Sequence, residues 1–189
     1  ALGIIAGLST LTRSCADLVG GWLSQRIKNQ KILLVIGYSI TPLFSCLIGT
    51  AQYLLVVLIY RVIAWFGRGM REPVRDAWLT HLLSPKDYGK GFGFLRAFDT
   101  GGALLGPLVA YFALAHFGLQ PIFLIALVPG ILSIISVIFF VETYHVKTAS
   151  SSLSYRQAWK LLPSSFKRFL AIRFLFGIAQ FDSVMIILR

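Results

Sequence analysis

Long apolar runs separated by short polar connectors set the pattern of this chain. A helix needs roughly 20 residues to cross a hydrocarbon core of about 30 Å. Five runs meet or approach that length, at about residues 2–24, 32–51, 53–67, 94–116 and 122–141. A sixth begins near Phe169 and continues to Arg189. Amphipathicity at the helical period is weak in the middle of these runs, as expected when apolar surroundings face a helix on all sides. The pattern predicts an all-α, polytopic membrane helix bundle. Ala1 opens directly into one apolar run and Arg189 closes another, so the bundle is expected to be incomplete at both ends, a segment of a longer protein.

The connectors alternate in character. Gln25–Lys31 is basic, the turn near Thr50–Gln52 is uncharged, and the stretch after the third run holds Arg68, Arg71, Arg75, Lys86 and Lys90. Phe117–Pro121 is again without formal charge, and the segment that starts at Glu142 carries Lys147, Arg156 and Lys160. Basic loops stay on the cytoplasmic side of a membrane. One topology therefore satisfies every connector, with the first run descending into the cytoplasm. The expected location is a multi-pass protein of the cytoplasmic (inner) membrane with its basic loops inside.

Composition agrees. Hydrophobic residues make up 57% of the 189 and charged residues only 13%, against roughly 25% charged in an ordinary soluble domain. The 18 Lys and Arg exceed the 7 Asp and Glu by 11. Topology accounts for that excess, and nucleic acid is not needed as a partner. Cys15 and Cys46 lie inside apolar runs and read as buried packing thiols. His81, His116 and His145 are scattered, no His/Cys grouping has metal-ligand spacing, and no Ser/His/Asp grouping appears. No enzyme activity, cofactor or metal is expected.

Gly21-Trp22-Leu23-Ser24-Gln25-Arg26, leading into a basic loop that ends at Lys31, resembles the loop signature after the second helix of the major facilitator superfamily. Gln25 stands where that family usually has Asp, and Lys28 where it usually has Gly. Arg61 inside the third run, Gly67-Arg68-Gly69 and Arg71–Ala77 are similar to helix four of a prokaryotic branch. Asp99–Pro107 is similar to helix five, and Gly102–Pro107 to the glycine–proline motif associated with antiporters, although Ala110 and Tyr111 replace its later glycines.

The resemblance covers the chain as helices two to six and part of seven. It implies residues 1–141 as an N-terminal half, 142–166 as a cytoplasmic linker and 167–189 as the start of the second half; the linker's own residues read either as holding a short surface helix around Tyr155, Ala158, Trp159 and Leu162 or as a plain flexible link. It also implies alternating access about a midplane site. The expected function is secondary active transport of a small organic solute (drug, sugar or metabolite), with proton-coupled efflux as the leading mode. An uptake symporter, a facilitator and a non-transporting receptor are the alternatives. The implied partners are a small-molecule substrate, the proton as coupling ion and the lipid bilayer, with a monomer as the full-length state.

Intramembrane charges point to the site, because an ionisable group at mid-bilayer costs at least about 2.5–3.5 kcal/mol on insertion scales. Arg61 lies nine residues past Gln52, roughly 13 Å along a helix. Asp182 lies fourteen past Arg168, roughly 21 Å. Both are candidates for substrate binding or proton coupling, against a structural role. Gly21, Arg26, Gly102, Gly106 and Pro107 are gating candidates, the last three because small residues permit close packing and proline lets a helix bend. Gly3 and Gly7 repeat the four-residue spacing. Arg13 with Asp17, and Arg96 with Asp99, read as structural pairs within one helix.

Overall fold

The computed structural model describes residues 2–27, 29–141 and 155–179. Among them the chain is helical: α1 (Leu2–Arg26), α2 (Gln30–Ile48), α3 (Leu54–Leu82), a 3₁₀ turn at Pro85–Asp87, α4 (Tyr88–Phe117), α5 (Leu119–Phe140), α6 (Tyr155–Leu161) and α7 (Ser164–Ala179). The expected apolar runs coincide with α1 to α5 and with the described part of α7. The short helix expected in the linker is α6. Most of the linker, and Asp182, lie outside the described residues.

The apolar runs become helices because lipid offers no hydrogen-bond partners, so every backbone group must be satisfied within the segment. Hydroxyls inside the runs obey the same demand. Ser39 Oγ donates to the Val35 carbonyl at 2.7 Å, Thr41 Oγ1 to Gly37 at 3.0 Å and Ser133 Oγ to Pro129 at 2.8 Å. Gly118, at φ 77°, takes the left-handed backbone that a side chain disfavours and so turns α4 into α5.

Among the described residues, three helical stretches are long and apolar enough to span a bilayer: Gln30–Ile48, Pro85–Phe117 and Pro121–Phe140, with mean hydropathies of 1.8, 1.3 and 2.8. Many of their large side chains point outward. Phe98, Phe139 and Phe140 are each more than three-quarters exposed. Such surfaces belong against lipid rather than water. The buried core is small and sits where α2, α3 and α5 meet, at Leu33, Leu34, Met70, Val74 and Val137. The helices α1 and α3 interrupt their apolar runs with charges, and they build the site described next.

The chain divides into two compact units. Leu8–Thr148 form the larger, with most of α1 and all of α2 to α5. Ala1–Gly7 and Ala149–Arg189 form the smaller, with α6 and α7. Within the smaller unit, the Lys167 ammonium lies 5.9 Å from the centre of the exposed Trp159 ring.

Candidate functional site

Helix α3 is the spine of the larger unit, and two glycines let neighbours close on it. Gly67 and Gly69 are two residues, or about 200°, apart around the helix. A Cβ on Gly67 would lie 2.8 Å from Ile40 on α2, and one on Gly69 would lie 2.5 Å from the Arg13 carbonyl oxygen on α1. Each contact has a glycine counterpart. Gly37 on α2 approaches Arg71 and the Gly67 carbonyl, and Gly20 on α1 approaches Met70. This is the small-residue packing by which membrane helices approach closely.

Close packing was expected instead at Gly102 and Gly106. A Cβ on either would meet nothing within 4 Å, and Gly7 is equally open. Gly102 and Gly106 line an apolar cavity of about 380 Å³ between α4 and α5, together with Ala110, Ala113, Ala126 and Pro129. The spacing is right, but among the described residues no helix touches that face, and α5 stands off across the cavity.

The ion pairs also differ from the expected ones. Arg13 pairs with Glu72 on α3 rather than with Asp17. Asp99 pairs with Arg75 at 3.1 Å, and Arg96 reaches Asp76 at 3.7 Å. Arg75 also contacts its neighbour Asp76 at 3.4 Å. Both expected pairs, Arg13–Asp17 and Arg96–Asp99, are thus replaced by bridges between helices. One aligned face of α3 presents the partners, because Arg61, Trp65, Arg68, Glu72, Arg75 and Asp76 recur at helical spacing. Glu72, one helical turn from Arg68, is taken by Arg13. Asp17 keeps a buried Oδ1 with no hydrogen-bond partner.

Beyond the apolar run of α3, burial disfavours the charged form of Arg71 and lowers its pKa from the ordinary guanidinium value. Its guanidinium lies 4.2 Å from the centre of the Tyr38 ring. Burial acts the same way on Arg75, but Asp99, Tyr38 and Asp76 outweigh it and raise its pKa.

Deeper on the same face, Trp65 gathers cations. The guanidinium carbons of Arg13, Arg61 and Arg68 lie 5.9, 5.7 and 5.6 Å from its ring centre. Each is within cation–π range. Arg61 is among the site residues expected from the sequence, and Trp65 is not. The signal was present, since Arg61, Trp65 and Arg68 fall at i, i+4 and i+7. Arg61 Nε is buried with no hydrogen-bond partner. Beside Trp65, a cavity of about 80 Å³ is lined by Thr41, Ser45, Ala64, Trp65 and Arg68.

The loop signature folds back on itself. Ser24 Oγ donates to the Gly21 carbonyl at 2.7 Å, and the buried Gln30 amide donates to the Ser24 carbonyl at 3.1 Å. Gly21 would touch Pro73 on α3 through a Cβ at 4.0 Å, and Arg26 stacks 4.2 Å from the centre of Trp22. Gln30 holds the α1–α2 turn, a role that sequence reasoning missed. Pro107 lies within α4. Both cysteines are free, and Cys15 is exposed rather than buried as expected.

The sequence profile of the Major Facilitator Superfamily matches residues 1–188. The chain belongs to this superfamily. It is 31% identical over 190 residues to an uncharacterised MFS-type transporter of Methanocaldococcus jannaschii, a match that covers all of this chain and 47% of that protein. It is 28% identical over 161 residues to the multidrug resistance protein MdtG of Proteus mirabilis, covering 85% of this chain and 40% of that one. A crystal structure of a peptide transporter POT in complex with alafosfalin superposes with a TM-score of 0.64 at 16% identity, over 96% of this chain and 38% of the other. The chain therefore spans about half the length, or less, of these proteins. As a member of the superfamily it is an integral, multi-pass membrane protein.

Proposed function

We propose that this chain is part of a secondary transporter that exports a small organic solute by alternating access, driven by proton entry. The observation that carries the transport reading is the match of the superfamily profile along residues 1–188. Similarity to MdtG multidrug resistance proteins supports export over uptake. Arg61 supports a polar site within the bilayer, since a buried cation is retained there only where it meets a partner or a cavity.

In this reading the connector charges place the loops after α1, α3 and α5 in the cytoplasm, within the inner membrane. Residues 142–166 link two halves, and the full-length protein works as a monomer. Arg61 and Asp182 serve substrate binding or proton coupling. Gly21, Arg26, Gly102, Gly106 and Pro107 take part in the rocking motion.

The test uses the full-length protein in inverted membrane vesicles with an imposed proton gradient, to which sugars, lipophilic cations and organic anions are added singly. Dissipation of the gradient by one class, with matching uptake of labelled solute into the vesicles, establishes proton-coupled export. Labelled-solute movement that leaves the gradient intact would replace coupling with facilitated diffusion.

A further inference from the structure

The basic connectors of this chain differ in how their charge is answered. Beyond the apolar run of α3, Arg75 meets Asp76 and Asp99, and Arg96 meets Asp76. The segment around α6 has no such partners in its own sequence. From residue 143 to residue 181 it carries Lys147, Arg156, Lys160, Lys167, Arg168 and Arg173 and not one Asp or Glu. No carboxylate stands among the described residues of the smaller unit, to which α6 and α7 belong.

The same segment shows apolar surface. Pro163 stops α6, and the amides of Phe166 and Lys167 donate to its carbonyl at 3.0 and 3.1 Å as α7 begins. The corner leaves Trp159, Leu161 and Phe166 exposed. Lys160 and Arg168 are exposed among them. Lys167 reaches back across the corner to the Trp159 ring, within cation–π range, so the two helices present one surface. Cations without acids call for an anionic partner, and exposed aromatic and aliphatic side chains call for an apolar one. A phospholipid with an anionic head offers both in one molecule. Trp prefers the level between headgroups and acyl chains, and clusters of Lys and Arg beside a membrane helix are drawn to anionic headgroups. Position agrees, because Lys167 and Arg168 directly precede the sixth apolar run, which begins near Phe169. An acidic peptide would answer the charge but not the apolar surface.

We propose that the corner between α6 and α7 is a binding surface for anionic phospholipid. Lys160, Lys167 and Arg168 hold the headgroups, while Trp159, Leu161 and Phe166 lie among the upper acyl chains, as in a helix that rests in a membrane interface. The corner thereby selects lipids such as phosphatidylglycerol over zwitterionic ones. This lipid contact is independent of which solute the protein carries.

The test uses the full-length protein in nanodiscs of phosphatidylcholine and phosphatidylglycerol, the latter about one lipid in five. In one disc the phosphatidylglycerol carries bromine on its upper acyl chains, and in the other an equal amount of phosphatidylcholine carries it. Lipid composition is then the same, and only the quencher differs. The fluorescence lost on Trp159→Phe gives the Trp159 signal. Bromine on phosphatidylglycerol is expected to quench that signal about twofold or more beyond bromine on phosphatidylcholine. The triple variant Lys160→Gln, Lys167→Gln, Arg168→Gln is expected to bring the ratio to about one. Lys86→Gln with Lys90→Gln, around the start of α4, is expected to preserve it. Should the triple variant not fold, salt at about 0.5 M, where the screening length falls to roughly 4 Å, is expected to lower the ratio in the unaltered protein. Equal quenching by the two lipids overturns the surface, as does a ratio unchanged in the triple variant, or in salt where that variant does not fold. Quenching by neither lipid places Trp159 away from the bilayer and also overturns it.

Discussion

Arg13 on α1 and Glu72 on α3 are 59 residues apart in sequence, and their side chains pair across the crossing of the two helices. The pair sits beside Gly69, one of the two places where a glycine lets α1 and α3 approach closely, and it fixes the rotation of one helix against the other. Both side chains are only partly exposed, so removing one leaves the other poorly solvated. Arg13→Gln or Glu72→Gln is expected to cost on the order of 1–3 kcal/mol of stability. The double variant should cost less than the sum of the two. A double-mutant cycle read by denaturation in detergent checks this. Additive single effects would mean that the pair contributes nothing.

The glycines divide into two sets with opposite expected responses. Gly69→Ala and Gly20→Ala drive a Cβ to 2.5 Å and 2.4 Å from backbone oxygens of the facing helix, so the helices must part. Each is expected to lose about 1–3 kcal/mol. Gly102→Ala and Gly106→Ala meet open space and should leave stability within about 0.5 kcal/mol. Thermal unfolding of the four variants side by side separates the sets. Equal losses in both would show that another helix closes on Gly102 and Gly106 in the full-length protein.

Arg75 should matter more than its acidic partners. It bridges to Asp99 on α4 and contacts Asp76, and its side chain is far less exposed than that of Asp99, at 14% against 47%. Asp99→Asn removes a half-exposed partner and should cost at most about 1 kcal/mol. Arg75→Gln breaks both contacts and is expected to cost about 2 kcal/mol or more. A loss on Asp99→Asn as large as on Arg75→Gln would mean that the α3–α4 bridge alone carries the stability.

The helices were legible because lipid leaves little choice of backbone structure. A run such as Ile122–Val141 can satisfy its backbone groups only by coiling. The partners of its side chains were less legible. Sequence spacing sees only one helix, so it paired Arg13 with Asp17 and Arg96 with Asp99, four and three residues apart. The crossing of α1 over α3 brings Glu72 closer, and the start of α4 lies beside Arg75 and Asp76. Gly102 and Gly106 illustrate the same point. Four-residue spacing makes a face suitable for close packing but does not supply the helix that packs there. Trp65 could have been found, since it lies on the Arg61 face, four and three residues from the two arginines.

Arg61 and Asp182 give the sharpest functional prediction because their charges have opposite sign. A coupling carboxylate must bind and release a proton during each cycle, the role proposed for Asp182. Asp182→Asn removes the titrating group but keeps the shape. It is expected to abolish solute-driven dissipation of an imposed proton gradient while exchange of labelled solute across the membrane survives. Arg61→Gln removes the cation proposed for the substrate site, so it should weaken apparent solute affinity by roughly tenfold or more and leave any residual transport coupled to protons. Inverted vesicles carrying the full-length variants, followed with a pH-sensitive dye and labelled solute together, give both readouts. A variant at Asp182 that still moves protons with solute would assign coupling elsewhere in the protein. A variant at Arg61 that uncouples without weakening affinity would exchange the roles of the two residues.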